Sequence, residues 1–322
     1  MKINWSSTLK PTKIPMLASP FPALCNPFAN EIQKHTEQWV WHYQLIPEIK
    51  LFEKFCYGRI GELTAWNHPT ADPERLKILS DWCAWLFIFD DICDTTELGR
   101  NQEQLYQFHQ RMLDILRGAT VNAQEPSILH ALADLYQRAR PLAQPQQWER
   151  FLHHIELCFE GCRWESQNRI NNTQPDIFTY IKKRPFIGGL YAYIELMCMV
   201  SNIYVSYTMH ERDPFWNMAR LANRTVCWAN DLQSFVKEQE QGDLHNLVLI
   251  VHQSHLVSLE RAIEYTNKLY HGDIKDFKTL QANTNANPIE QQYIELLQSL
   301  MVGYIEWSHR SARYQIARHN TA

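Results

Sequence analysis

Apolar side chains recur at three- and four-residue intervals along most of the 322-residue chain, and no segment alternates convincingly between apolar and polar positions. The first period belongs to a helix face, the second to a half-buried strand. The pattern predicts helices over about 28–45, 50–66, 73–95, 100–117, 126–140, 146–170, 176–207, 214–240, 244–273 (with a break) and 288–313. Asp72-Pro73 supplies a cap followed by a proline in a first helical turn. Segments 118–125 and 271–287 are polar and are expected to be loops, the stretch from Asn283 to Pro288 ending in an X-Pro stop. Residues 1–27 carry Pro11, Pro15, Pro20, Pro22 and Pro27 and are expected to be extended and irregular. Without an internal repeat or a low-complexity linker, the expectation is one all-α domain over residues 1–322.

Composition narrows the picture. Apolar residues at 45% and aromatic residues at 12% are ample for a large core rich in ring faces, and only 10 glycines argue against a turn-rich β fold. A net charge of −4 without a basic stretch excludes nucleic acid as an expected partner. None of the eight cysteines forms a CxxC pair. Cys158 and Cys162 lie one helical turn apart, but no His/Cys set completes a zinc site. Buried free thiols in a reducing compartment are the simpler reading, and with no signal peptide the expected location is cytoplasmic. The longest apolar stretch, Leu190 to Tyr207, contains Glu195 and Asn202 and reads as a buried helix, not a membrane span.

Two oxygen-rich segments carry the candidate chemistry. Asp90-Asp91-Ile92-Cys93-Asp94 is an unbroken DDxxD, and Asn230, Ser234 and Glu238 stand four residues apart, twice. In a helix, positions i, i+4 and i+8 form one stripe. Hard divalent cations want oxygen ligands and share them with phosphates. Two such stripes facing across a cavity would hold metal ions and, through them, a diphosphate. Below Asp90 come Leu86 and Phe87, then Cys83 and Trp82, a layout that anchors a charged head at a mouth and buries a hydrocarbon beneath it. Asp91 points about 100° away from Asp90 and would serve a basic partner. Each stripe also has a plainer reading: an exposed acidic helix end for the first, a solvated face of common residue types for the second. Gly188-Gly189 interrupts a helical pattern at a cost of about 1 kcal/mol each. The pair marks either a helix break or a close helix contact.

In these motifs the chain resembles the class I terpene synthases of the bacterial type. Asp90, Asp91 and Asp94 match the family's aspartate-rich motif, and Asn230, Asp231, Ser234, Lys237 and Glu238 match its second metal motif. Arg184 stands forty-six residues before Asn230, Trp307 six before Arg313, and Arg313-Tyr314 forms the family's C-terminal pair. The landmarks run from 90 to 314, most of the chain.

The resemblance implies a helical bundle around a deep central cavity and three Mg2+ ions, replaceable by Mn2+, held by Asp90, Asp94, Asn230, Ser234 and Glu238. It makes Arg184 a diphosphate sensor, Gly188 the donor of a backbone carbonyl facing the ionised substrate, and Lys237, Arg313 and Tyr314 further grips on the diphosphate. Trp307 would line the pocket beside Cys83, Leu86 and Phe87. Catalytic roles fall to Arg184, Gly188, Asp91, Arg313 and Tyr314. The expected substrate is a prenyl diphosphate, farnesyl diphosphate by family frequency and by the bulk of Trp82 and Phe87, giving a fifteen-carbon product; a homodimer is an expected assembly. Gln241 departs from the pattern, because some members carry an arginine there for the diphosphate. Rival readings are a prenyl-chain-elongating synthase, which has two aspartate-rich motifs where this chain has one, and a non-catalytic isoprenoid-binding protein.

Overall fold

The computed structural model describes residues 15–206, 213–243 and 245–313. Among them there is no strand. The helices are α1 (Ala29–His42), α2 (Ile49–Tyr57), α3 (Ile60–Asn67), α4 (Pro73–Thr95), α5 (Gln102–Leu116), α6 (Ser127–Ala139), α7 (Pro145–Asn171), α8 (Ile177–Ile187), α9 (Leu190–Val200), α10 (Asp213–Gln241), α11 (Leu247–Ser254), α12 (Leu259–Ala282) and α13 (Pro288–Arg310).

Local chemistry explains the ends that matter for the site. Asp72 Oδ1 accepts the backbone N–H groups of Glu74 at 3.0 Å and Arg75 at 3.4 Å, and Pro73 opens α4, the helix that carries DDxxD. A reciprocal capping box between Asn287 and Glu290, again with a proline at the start, opens α13.

Three sequence expectations are corrected. The stretch 50–66 is two helices, because Arg59 takes a left-handed φ of 53° between them. The stretch 176–207 breaks at Gly189, whose φ of 66° suits glycine, and its second helix ends at Val200. Residues 271–282 are helical, not a loop. Their sequence is polar because α12 buries only one stripe there, Tyr270, Ile274 and Phe277, while the other faces meet solvent.

The proline-bearing segment ahead of α1 is irregular where described, but it is pinned. Leu17 and Phe21 are buried, Phe21 meets Phe277 edge-on, and the Tyr270 hydroxyl donates to the Ala18 carbonyl at 3.1 Å. Helix α4 packs against α1, α3, α6 and α9, and α10 lies along α12 and α13. Within α9, buried Glu195 receives Arg150 Nε at 3.0 Å, so its charge is matched inside an apolar helix. No helix is long and apolar enough to cross a membrane among the described residues.

Candidate active site

Between α4, α7, α8, α9, α10 and α13 lies a cavity of about 200 Å3. Asp90 and Asp94 reach it from α4, Asn230 and Glu238 from α10, and Arg184 and Gly188 from the α8–α9 break. Cys83, Leu86 and Phe87 line it along α4 below Asp90. The two stripes therefore open onto one space. A larger groove of about 710 Å3 runs on the surface beside Ala18 and Lys275, but no acidic side chain lines it.

Some expected wall residues stand elsewhere. Trp82 does not line the cavity; its ring packs on Trp85 and Phe151, because two turns up α4 the chain has rotated that position toward the core. Trp307 is fully buried behind the wall. Its ring lies 6.0 Å from Phe87 and 5.7 Å from Tyr304, and its Nε1 donates to the Gly58 and Arg59 carbonyls. Ser234 is buried on the α10 stripe, its hydroxyl donating to the Asn230 carbonyl at 2.7 Å.

The acids at the mouth outnumber the bases. Asp90, Asp94, Glu165, Glu238 and Asp243 line the cavity, against one arginine, Arg184. Asp90 is open to the cavity but walled by protein. That enclosure pushes its carboxyl up, and Asp91 adds to it against Arg313 and Lys237. Enclosure and then Asp90 drive Asp94 well above the carboxylate range, although Arg169 sits 3.1 Å away. Burial followed by Asp243 and Asp231 raises Glu238 to about 8. Asp243 goes the other way: burial opposes its charge, but hydrogen bonds from His245 hold it at about 2.

Burial and crowding disfavour the charged form of these carboxyls in the protein alone, and their hard oxygens suit a divalent cation of the Mg2+ kind, which would stabilise that charge. Among the described residues no three His, Cys, Asp or Glu side chains converge closely enough to hold an ion unaided. Ions held here would draw oxygens from both stripes and from a ligand.

Arg184 joins the second stripe to the helix break. Its Nε donates to Asp231 Oδ1 at 2.9 Å and its terminal nitrogen to Asn230 Oδ1 at 2.7 Å. Burial works against its charge, but Asp231 and Tyr180 keep its pKa well above the ordinary value. Asp231 itself faces inward and accepts the Tyr180 hydroxyl at 3.0 Å and the Leu247 N–H at 3.0 Å. Three residues beyond Arg184 the helix stops. Cys158 donates to the Ile187 carbonyl at 3.1 Å, and a Cβ on Gly161 would come within 2.9 Å of Ile187. Helix α7 thus clamps the chain where Gly188 enters the cavity.

Asp91 faces away from the cavity, toward bases. Arg313 donates to its Oδ1 at 3.2 Å and Lys237 stands 3.9 Å off. The same guanidinium covers the Phe87 ring at 4.5 Å. Tyr314 lies outside the described residues. Gln241 is exposed at the end of α10.

Sequence reasoning missed the supports. Asn246 donates one amide group to the Asp231 carbonyl at 2.9 Å, to Glu238 at 2.7 Å and, more weakly, to Ser234 at 3.5 Å. It also caps α11 by accepting the Val248 N–H. An asparagine just before the apolar run Leu247–Val251 is a readable cap signal. Its reach back to α10 is not. Glu165 and Arg169, one turn apart on α7, were legible only as a common i, i+4 pair.

Comparison with known proteins bears on this geometry. Residues 81–276 match the family described as terpene synthase family 2, C-terminal metal binding. A germacrene A synthase of Nostoc punctiforme is 32% identical over 305 residues, covering 93% of this chain and 94% of that protein. A (+)-T-muurolol synthase of Roseiflexus castenholzii is 33% identical over 304 residues, covering 92% and 93%. The linalool/nerolidol synthase structure from Streptomyces clavuligerus superposes with a TM-score of 0.82 at 20% identity, covering 91% of this chain and 99% of that one. A crystal structure of a protein from ancestral sequence reconstruction gives 0.86 at 22%, covering 92% and 90%. At these identities the structures speak for the fold alone.

Proposed function

The chain belongs to the class I, bacterial-type terpene synthases, lyases that act on prenyl diphosphates through a metal-binding domain, and from that premise we propose that it is a Mg2+-dependent sesquiterpene cyclase acting on farnesyl diphosphate. The observation that carries the reading is that Asp90 and Asp94 from α4 and Asn230 and Glu238 from α10 open onto one cavity, where burial and neighbouring acids push the carboxyls up. The fifteen-carbon substrate is supported by the relatives named for farnesyl diphosphate cyclisation, a muurolol and a cubebol synthase.

Bound ions would supply Lewis acidity to the diphosphate leaving group. Asp90, Asp94, Asn230, Ser234 and Glu238 are the ligands in this reading. Arg184 trades part of its present hydrogen bonding for a bidentate grip on diphosphate oxygens. Lys237 and Arg313 add charge and Tyr314 a hydroxyl, and Asp91 keeps Arg313 poised until then. Departure of the diphosphate leaves an allylic cation. Gly188, held at the break by the α7 clamp, turns its carbonyl toward that charge. Cys83, Leu86 and Phe87 fold the chain, with Trp307 fixing the Phe87 face from behind. Closure of the mouth keeps bulk water from the cation.

Incubation with single prenyl diphosphates tests this. The expected result is Mg2+-dependent diphosphate release, most efficient with farnesyl diphosphate, and a cyclic fifteen-carbon product without isopentenyl diphosphate. A strict need for isopentenyl diphosphate would mean chain elongation instead. No release from any chain length would mean a non-catalytic binding protein.

A further inference from the structure

An α-helix ends with four backbone carbonyls that have no partner inside it. In α8 these belong to Arg184, Pro185, Phe186 and Ile187. Among the described residues, no backbone N–H from beyond the helix donates to them. Side chains from two other helices do so instead. Asn223 Nδ2 on α10 donates to the Pro185 carbonyl at 2.9 Å, and Cys158 Sγ on α7 donates to the Ile187 carbonyl at 3.1 Å. That sulfur also stands 3.7 Å from where a Cβ on Gly189 would sit, so it borders both sides of the break.

Asn223 is fully buried and does not line the cavity. Asparagine is a poor helix former, and its amide is costly to bury without partners, so an apolar side chain would fill this place more cheaply. Its amide is held in one sense only. The Pro185 carbonyl can only accept, which turns Nδ2 toward it, and the Cys227 thiol donates to Oδ1 at 3.2 Å on the other side. Asn223 stands seven residues before Asn230, close to two helical turns, so both share one face of α10. That face therefore carries the Asn230 oxygen that accepts Arg184 at 2.7 Å and the amide that caps the helix on which Arg184 sits.

We propose that Asn223 and Cys158 are positioning residues for ionisation and cyclisation: gripping the end of α8 from α10 and α7, they set where the Gly188 carbonyl and the Arg184 guanidinium stand relative to the second stripe. The inference rests on the terpene-cyclase reading and names two residues that govern rate and product without touching the diphosphate. Loss of either donor leaves a carbonyl unsatisfied in a dry place, a state that proteins avoid by local rearrangement. The last turn of α8 would rotate to find a partner, and the Gly188 carbonyl would turn with it. A carbonyl dipole stabilises a cation only when its oxygen points at the charge, so a small rotation changes both the barrier and the preferred cation.

The experiment compares wild type with Asn223→Ala, Cys158→Ala and Cys158→Ser on farnesyl diphosphate and Mg2+. It measures kcat, KM and the product spectrum per mole of folded protein, and Mn2+ uptake with inorganic diphosphate by electron paramagnetic resonance. Both alanine variants are expected to lose about tenfold or more in kcat, with KM and Mn2+ uptake kept within about threefold and the product ratios changed. Cys158→Ser keeps a donor where alanine has none, and is expected to stay within about threefold of wild type in kcat with the wild-type product spectrum. An unchanged product spectrum in both alanine variants overturns the proposal, and so does Cys158→Ser behaving like Cys158→Ala. A loss of Mn2+ uptake that matches the loss of kcat also overturns it, because the pair would then support the metal stripe and not the break. Should Asn223→Ala fail to fold, the contrast between serine and alanine at position 158 decides alone. Absence of diphosphate release from wild type with any prenyl diphosphate removes the cyclase reading, and this proposal with it.

Discussion

The two rims of the cavity share a task but are held in different ways. On α4, Asp90 and Asp94 face the cavity with their charges opposed only by long, partly exposed bases: Arg169 on Asp94, and Arg313 and Lys237 through Asp91. On α10, Asn230, Ser234 and Glu238 are held by short hydrogen bonds from Arg184 and Asn246 and within the helix itself. The first rim is acid-rich and adjustable; the second carries a single carboxyl and is pre-arranged. An ion entering between them gains attraction from one side and geometry from the other, and the pre-arranged side spends less ordering entropy on binding.

The largest effect should come from removing either rim. Asp90→Ala, Asn230→Ala and Glu238→Ala are each expected to lower kcat/KM with farnesyl diphosphate by about a hundredfold or more, since each removes a proposed metal ligand on which transition-state charge would depend. Near-normal turnover of all three with Mg2+ would break the two-rim account.

A smaller and more telling loss is expected from Asn246→Ala. It touches no substrate in this reading but frees Glu238 and Ser234, so the Mg2+ concentration for half-maximal rate should rise about tenfold while kcat at saturating metal is largely kept. A fall in kcat alone would mean that Asn246 acts on the chemistry and not on ligand placement.

The adjustable rim should show itself in dynamics. Diphosphate with Mg2+ is expected to protect residues near 92–100 and 308–313 from hydrogen exchange, as Arg313 moves from Asp91 toward the anion. Arg313→Ala should lose much of that protection, and the α10 rim near 230–238 should change least. Equal protection on both rims would erase the contrast drawn between them.

Much of this was legible in the sequence for a simple reason. Helix period alone puts Asp90 with Asp94, and Asn230 with Glu238, on single faces, and Asp72-Pro73 and Gly188-Gly189 mark backbone events that local chemistry decides. What stayed hidden depends on which surfaces meet. Nothing local says that Asn246 reaches back to Glu238, that Arg169 crosses to Asp94, or that Asn223 caps the end of α8. Trp82 and Trp307 look alike as pocket aromatics in a sequence. Only packing turned the first toward Trp85 and set the second behind Phe87. The polar run at 271–282 misled because an exposed helix needs only a narrow buried stripe.

The smallest expected effect concerns Asp91. Asp91→Asn should keep metal affinity and reduce turnover by only about three- to tenfold, because it weakens the hold on a partly exposed arginine and removes no proposed ligand. A loss as deep as that of Asp90→Ala would place Asp91 on the metal side of the rim.

The central claim is that ions bind between the rims only with a diphosphate to complete their shell. Mn2+ uptake followed by electron paramagnetic resonance, with and without inorganic diphosphate, tests it directly. The account predicts tight uptake by wild type only when diphosphate is present, and loss of that uptake in both Asp90→Ala and Glu238→Ala. Uptake that needs no diphosphate, or that survives in either variant, would contradict it.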